Sequence, residues 1–360
     1  MTKIREFMTG WEPGSVSPML GWTLRTKENI RGTVDGKRKP PNLRPFDLIR
    51  APHEPVGLVA NEDMRCFVDS AAGPAPYFHR NIDFDEAIFQ FAGTTRVETE
   101  HGVEDLAPGE MLLVPRGIAQ RSIGDADSLR MLVLMHDPVK GVMSTAECTS
   151  RTRYDVRRIG GPDYSAAAAV KPATGSVIEK MYVWHEDPAD ALEARRQAEE
   201  LIGVGSTRRD GDFSGLKKMR PFDLFMDITG RKGPGPKFLY SDSAMMEVYN
   251  TVGEQFAFHR ALGSEEFGLQ LMGENINMSE FEETHPMTPG DWFLIPLGIA
   301  HSVAECKPDF RRMVIYSPYP FTVLTDESKY VSQSRFEVRE TVLEEAPWHA
   351  QLREPAFAPA

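Results

Sequence analysis

The chain has 360 residues, of which 41% are hydrophobic and 26% charged, proportions typical of a folded globular protein. Its 41 basic and 53 acidic residues give a formal net charge of −12. This negative charge and the absence of a run of basic residues argue against nucleic-acid binding. No apolar run approaches a membrane span, no signal-peptide pattern opens the chain, and the three cysteines are widely separated, so we expect a cytoplasmic protein without membrane contact.

The first elements of the chain predict a β-domain. Residues 1–43 are rich in Gly, Pro and Lys, and we expect them to wrap over the domain that follows. Within 44–150, short segments rich in Val, Ile, Phe and Met predict strands at 88–93, 110–114 and 130–134. The Pro-x-Gly sequence at 115–117 predicts a tight turn after the second strand.

A different composition follows at 151–219. Its stretch 187–202 contains Ala, Leu, Glu, Arg and Gln without Gly, which predicts a helix, and we expect a partly helical connection. Residues 220–330 return to strand patterns at 267–272, 292–295 and 312–316. We expect a C-terminal tail at 331–360, weakly structured from 347 to 360.

The chain contains an internal duplication. Four blocks recur in the same order at an offset of about 180 residues: 44–48 with 220–224, 77–80 with 257–260, 108–120 with 289–301, and 130–133 with 312–315. A period of this length suits two copies of one domain rather than a solenoid. The predicted fold class is therefore mainly β, with two jelly-roll β-barrels joined by a short helical connection.

The second copy carries a motif with metal-ligand chemistry. His259 is followed seven residues later by Glu266, and a Gly-Asp, an apolar strand and a Pro-x-Gly turn lead to His301. Two imidazoles and one carboxylate with open positions form the facial triad of non-haem Fe(II) enzymes. The neighbouring Glu265 is the alternative carboxylate, but Glu266 stands at the same distance from Gly273 as Glu86 does from Gly93 in the first copy.

These motifs resemble those of the bicupin family. The resemblance implies that His259, Glu266 and His301 point into the second barrel and bind one divalent metal. Many cupins have a second His two positions after the first, where this chain has Ala261. Its loss and the Phe-His-Arg opening resemble the Fe(II) ring-cleaving dioxygenases of the homogentisate and hydroquinone type. That likeness implies Fe²⁺, O₂ and ring cleavage of a hydroquinone-type aromatic substrate.

Several alternatives stay open beside this hypothesis. The close rival is a dioxygenase for an aromatic acid of the homogentisate or gentisate type. A non-enzymatic, metal-binding bicupin (storage, sensor or scaffold) is the alternative from another class. An isomerase or oxalate-type enzyme using Mn would usually retain the second His, so Ala261 argues against it. The resemblance also implies either a smaller partner subunit or a homo-oligomer.

The first copy has an incomplete ligand set. His79, Asn81 and Glu86 occupy its first motif, but Gln120 replaces the final His. Because an amide is a poorer transition-metal ligand than imidazole, we expect a structural barrel in which Asn81 and Gln120 are hydrogen-bonded core groups.

A substrate pocket in the second barrel needs apolar walls and a few polar anchors. Arg260, next to the first motif His, is the candidate anchor for a substrate oxygen. The candidate walls are Met246, Tyr249, Phe256, Phe258, Trp292 and Phe293.

Overall fold

The structure is a computed structural model. It describes residues 3–9, 19–26, 42–142, 150–174, 178–182, 216–221, 237–249, 261, 263–279, 284–325 and 334–345. The helical elements with bounds in these ranges are a 3₁₀ turn, Pro45–Leu48, and one turn of α-helix, α1, Ser165–Ala168. No helix in the described ranges has the length and apolar character needed to cross a membrane.

Strands make up nearly all of the regular structure. Up to the end of the first repeat they are β1 (Lys3–Thr9), β2 (Met19–Thr26), β3 (Asn42–Leu43), β4 (Val56–Ala60), β5 (Met64–Ser70), β6 (Gly73–Pro74), β7 (Phe78–Asn81), β8 (Asp85–Ala92), β9 (Thr95–Thr99), β10 (Gly102–Leu106), β11 (Met111–Val114), β12 (Ala119–Gly124), β13 (Leu129–Met135) and β14 (Gly141–Val142). After it come β15 (Ser150–Ile159), β16 (Ile178–Tyr182), β17 (Lys217–Met219), β18 (Lys237–Tyr240), β19 (Met245–Tyr249), β20 (Glu265–Met272), β21 (Asn275–Ser279), β22 (Thr284–Met287), β23 (Trp292–Ile295), β24 (His301–Ala304), β25 (Arg311–Ser317), β26 (Thr322–Val323) and β27 (Arg335–Glu345).

Each repeat folds into a barrel made of a large and a small sheet. In the first barrel a seven-stranded sheet, β17-β11-β8-β13-β5-β4-β26, lies against the five-stranded sheet β10-β9-β12-β7-β16. In the second, the order β14-β18-β19-β25-β20-β23-β3 lies against β22-β21-β24. Both interiors contain apolar side chains contributed by both of their sheets. The predicted fold class, a mainly β chain with two jelly-roll barrels, is confirmed.

The two barrels also share their pairing register. Glu86 of β8 pairs with Val114 of β11, and Glu266 of β20 pairs with Ile295 of β23. Successive strand residues point to opposite faces, so an identical register places equivalent side chains on the same face in both repeats. The repeats can therefore be compared residue by residue.

The largest hydrophobic core lies between the two seven-stranded sheets. It joins outward-facing residues of both barrels, among them Phe89 and Met131 from the first and Phe267 and Trp292 from the second. The rings of Phe267 and Trp292 stack with their centroids 4.6 Å apart. β8 and β20 are buried at every position, and apart from two opening acidic residues and one Gln each consists of apolar residues and glycine, as expected of strands covered on both faces.

Segments outside the repeats differ from expectation. The predicted helix at 187–202 lies outside the described residues, whereas the described parts of the connection contain β15, β16 and β17 as well as α1. The tail at 331–360 contains β27, which pairs along its length with β15, whereas its part expected to be weakly structured, 347–360, lies outside the described residues. β3 was expected to wrap over the first barrel with the rest of 1–43, but it pairs with β23 of the second. Exposed polar side chains on such ribbon strands hide the pairing from sequence patterns.

Candidate metal centre

Glu266 points into the second barrel. It is the second residue of β20, and its cross-strand neighbours are Ile295 of β23 and Tyr316 of β25. Paired residues of antiparallel strands share a face, and that face also carries Phe293 and Val314 of the interior cluster. The carboxylate is therefore buried, 7% exposed, in a mainly apolar barrel.

Glu265 has a different environment from its neighbour. One of its carboxylate oxygens accepts a hydrogen bond from the backbone N–H of Leu297 at 3.3 Å, and the other accepts from that of Phe321 at 2.7 Å. Asp85, which occupies the same place in the first barrel, likewise accepts from the backbone N–H groups of Arg116 and Val139, both at 2.9 Å. This carboxylate therefore fastens two loops to the barrel in each repeat.

His301 begins β24, just after the predicted Pro-x-Gly turn. The turn is closed by Gly298, with φ +75°, whose N–H donates to the carbonyl of Ala261 at 2.8 Å. The His301 Nδ1 lies 3.1 Å from the carbonyl oxygen of Ile299, which can only accept, so Nδ1 carries a proton. Its Nε2 then faces Oε2 of Glu266 at 3.3 Å.

The separation of these two atoms suits a cation bound by both of them. With Nδ1 protonated, Nε2 of the imidazole can act as a metal ligand, and the Glu266 carboxylate offers oxygen ligands. The 3.3 Å separation is longer than the about 2.7–2.9 Å of a charge-assisted N–H···O bond. Two ligand atoms bound at about 2.1 Å and at a right angle to one metal lie about 3 Å apart, close to the 3.3 Å observed. Imidazole and carboxylate donors thus fit a divalent metal such as Fe²⁺.

The third predicted ligand, His259, lies outside the described residues, as do Phe256, Phe258 and Arg260. Its equivalent in the first barrel is His79, whose Nε2 is 3.8 Å from Oε2 of Glu86. The first repeat thus has the motif His and the motif Glu facing each other.

The first barrel places amide donors where the second has its final His and Ala261. Nδ2 of Asn81 donates to Oε2 of Glu86 at 2.7 Å, and Nε2 of Gln120 donates to the same oxygen at 2.5 Å. Burial by itself raises the pKa of Glu86, but hydrogen bonding to and the charge of His79, with Asn81 and Arg130, outweigh it and hold this pKa below its ordinary value. The carboxylate is thus satisfied by protein donors.

The candidate pocket walls divide between two faces. Phe293 and Tyr249 belong to the interior cluster near Glu266. Trp292 and Met246 belong to the core between the barrels, because they alternate with interior neighbours along their strands. The expectation that these two side chains line the pocket is corrected by the strand register.

The interior also contains a chain of polar groups that the motifs did not indicate. The Tyr249 hydroxyl donates to Oε2 of Glu247 at 2.7 Å and lies 2.5 Å from the Tyr316 hydroxyl. Since Tyr249 has one proton, Tyr316 is the donor in the second bond. Burial, together with nearby carboxylates, raises the pKa of both tyrosines well above the ordinary value. These residues lie outside the four repeated blocks. At the same offset of about 180 residues, Glu247 and Tyr249 align with Phe67 and Asp69, where the two copies differ.

A second group of metal-ligating side chains lies in the first repeat. Asp63, His136 and Asp137 offer ligand atoms within 4.8 Å of one another, and all three are half-buried. The backbone N–H of His136 also donates to the backbone carbonyl of Asp63 at 2.9 Å. Partial burial and the charge of Asp137 raise the pKa of Asp63. This group lies at strand ends, outside either barrel interior.

Solved structures resemble this chain in fold. The protein Ylba from E. coli aligns at 9% identity with a TM-score of 0.46, over 81% of this chain and 97% of its own. A cupin 2 conserved barrel domain protein from Leptotrichia buccalis gives 10% and 0.43 over 78% and 96%, and a mutant of Bacillus subtilis oxalate decarboxylase gives 12% and 0.40 over 79% of each chain. No protein-family model matches the chain, and no curated protein matches its sequence.

Proposed function

We propose that the chain is a cupin-type metalloenzyme, an Fe(II)-dependent dioxygenase that cleaves the ring of a hydroquinone-type substrate. The observation that carries the proposal is the 3.3 Å approach of Nε2 of His301 to the Glu266 carboxylate inside a buried barrel. His259 completes the set by its match to His79. Three ligands on one side of an ion leave the other side for substrate and O₂.

The donor set supports iron over structural zinc. Structural zinc sites are closed tetrahedra, usually with thiolates, and the described Cys66 and Cys306 are buried in apolar surroundings. Many cupins have a fourth protein ligand at the position of Ala261. The methyl group of alanine cannot bind a metal, so three protein ligands remain. A bound Fe²⁺ would supply the redox chemistry that O₂ requires.

The surrounding residues suit a phenol. Phe293, Ile295 and Val314 form an apolar wall that excludes water from the barrel. A phenolic substrate gives up its hydroxyl proton on binding as a phenolate, and the hydroxyls of Tyr316 and Tyr249 form a path that ends at the Glu247 carboxylate. Proton transfer along that path would pass from Tyr316 Oη to Tyr249 Oη and then to Glu247 Oε2.

The test is anaerobic Fe(II) reconstitution, followed by metal analysis and O₂ uptake with hydroquinone, methoxyhydroquinone, homogentisate and gentisate. Glu266→Ala and His301→Ala should lose bound iron and O₂ uptake. The matched control is Glu265→Ala, which should retain iron while losing about 1–3 kcal/mol of stability, because two backbone N–H groups lose their acceptor.

Two further controls use the first repeat. Gln120→Ala and His136→Ala should leave the iron content of the second barrel unchanged. Iron loss in Gln120→Ala, or iron retained in His301→Ala, would reject the assigned centre. Iron bound without O₂ uptake on any of the aromatic compounds would favour the storage, sensor or scaffold alternative.

A further inference from the structure

One buried arginine recurs in both barrels. In the first, Arg130 lies on β13 opposite Asp69 of β5. Its Nε donates to one carboxylate oxygen of Asp69 at 3.0 Å, its Nη2 donates to the other, and its Nη1 reaches the Ser122 hydroxyl at 2.5 Å. The guanidinium is therefore neutralised by a bidentate carboxylate, the arrangement that best matches its planar fork.

The second barrel retains the arginine and lacks that carboxylate. Arg312 of β25 pairs with Tyr249 at the position where Arg130 pairs with Asp69, and Gln270 takes the place of Gln90 on the other side. The Tyr249 hydroxyl is directed to Glu247, as described above. The second repeat therefore has Tyr249 where the first has the counter-ion Asp69, and the Tyr249 hydroxyl donates to Glu247.

The remaining contacts of Arg312 leave its charge only partly compensated. Its Nη2 donates to Oδ1 of Asn277 at 2.5 Å, and its guanidinium lies 4.2 Å from the ring centroid of Phe293. The buried Nε has no hydrogen-bond partner, and no carboxylate within the described ranges is at salt-bridge distance from this side chain. Burial lowers the pKa of Arg312, which reflects the cost of keeping a cation there, although nearby Glu266 opposes that shift.

The position of Arg312 relates it to the candidate metal centre. Arg312 and Tyr316 lie on the same face of β25, and Tyr316 pairs with Glu266. Four residues of strand separate their Cα atoms by about 13 Å. An arginine side chain and a one-ring ligand together can cover that distance, so a substrate at the metal can reach the guanidinium.

We propose that Arg312 binds a carboxylate group of the substrate, which makes the substrate an aromatic acid rather than an unsubstituted hydroquinone. This inference rests on the proposed function for the place of the aromatic ring. The carboxylate would supply the charged acceptor that Asp69 provides in the first barrel, and a buried cation is costly without one. Among the alternatives drawn from the sequence, this favours the homogentisate or gentisate type.

The inference is tested by calorimetric binding of gentisate, homogentisate and hydroquinone to the metal-free protein. The wild type should bind both acids at least about tenfold more tightly than Arg312→Gln does, since two charge-assisted hydrogen bonds are lost. Hydroquinone affinity should be unchanged. Arg312→Lys should be intermediate, because lysine keeps the charge without the planar fork.

A second variant protects the test against misfolding of the first. Tyr249→Asp rebuilds the counter-ion of the first barrel, and it should abolish the preference for acids while Arg312 is retained. Equal affinity of wild type, Arg312→Gln and Tyr249→Asp for the acids, or a parallel loss of hydroquinone binding, would overturn the inference. The binding measurement uses metal-free protein and therefore does not depend on catalysis. Absence of ring cleavage in the separate O₂ assay would count against the proposed function alone.

Discussion

Adjacent carboxylates serve different purposes in each barrel, because neighbouring side chains of a strand point to opposite faces. Asp85 and Glu265 accept backbone hydrogen bonds from loops, whereas Glu86 and Glu266 point inward. The inward carboxylate accepts from two side-chain amides at Glu86, whereas at Glu266 it faces an imidazole nitrogen. Two differences, Gln120 against His301 and Asn81 against Ala261, therefore separate a structural cluster from a candidate metal centre.

At this scale the pKa of Glu86 predicts a pH dependence of stability. Because the folded-state pKa lies below the ordinary value of 4.5, the unfolded chain binds this proton first as the pH falls. The stabilisation is present above pH 4.5 and is lost as the pH falls through the folded-state pKa. Urea unfolding of chelator-treated protein should therefore show a steeper loss of stability on acidification in the wild type than in Glu86→Gln.

The largest slope difference that one proton can produce is about 1.4 kcal/mol per pH unit. Parallel curves for the two proteins would show that this carboxylate is not held in its charged form by its neighbours.

At the scale of the element, both barrels end the strand that carries the motif Glu in the same turn. Gly93 and Gly273 have φ values of +62° and +63°, in the left-handed region. The side-chain amides of Gln90 and Gln270 donate to the carbonyls of these glycines and of the residues before them. The spacing from Glu to Gly thus reflects a turn that requires glycine.

Alanine at either glycine should destabilise the protein by at least about 2 kcal/mol, since the left-handed strain adds to a steric clash. An added Cβ would lie 2.5 Å from the backbone of Asp127 at Gly93, and 2.8 Å from the Phe310 nitrogen at Gly273. The control is Gly102→Ala, where φ is also positive but nothing lies within 4 Å, so only the strain applies. Equal unfolding free energies for the three variants would contradict the clash.

At the scale of the whole molecule, the two barrels are joined by a shared core and by exchanged edge strands. β26, at the end of the second repeat, extends the large sheet of the first barrel, and β14 of the first extends that of the second. The core between the sheets is continuous across both. Neither barrel can lose its outer face without exposing apolar surface of the other.

We therefore expect one cooperative thermal transition for the metal-free protein. Trp292→Ala should lower the stability of that single transition by about 3–5 kcal/mol, because a large buried side chain is removed from the shared core. Its iron content should be retained, since Trp292 faces away from Glu266. Calorimetry that resolved two transitions, of which Trp292→Ala shifted only one, would show that the barrels unfold separately.

The sequence by itself determined the duplication, the barrel strands and the turns, because repeated blocks, short segments rich in Val, Ile, Phe and Met, and Pro-x-Gly are local patterns. It also indicated Glu266 over Glu265, from a spacing whose cause is the Gly273 turn. The faces of Trp292 and Met246, and the meeting of Arg312 with Tyr249, were decided by the tertiary structure. Which strands become neighbours, and in which register, depends on contacts between distant segments, and a buried charge acquires or lacks its counter-ion only when those strands pair.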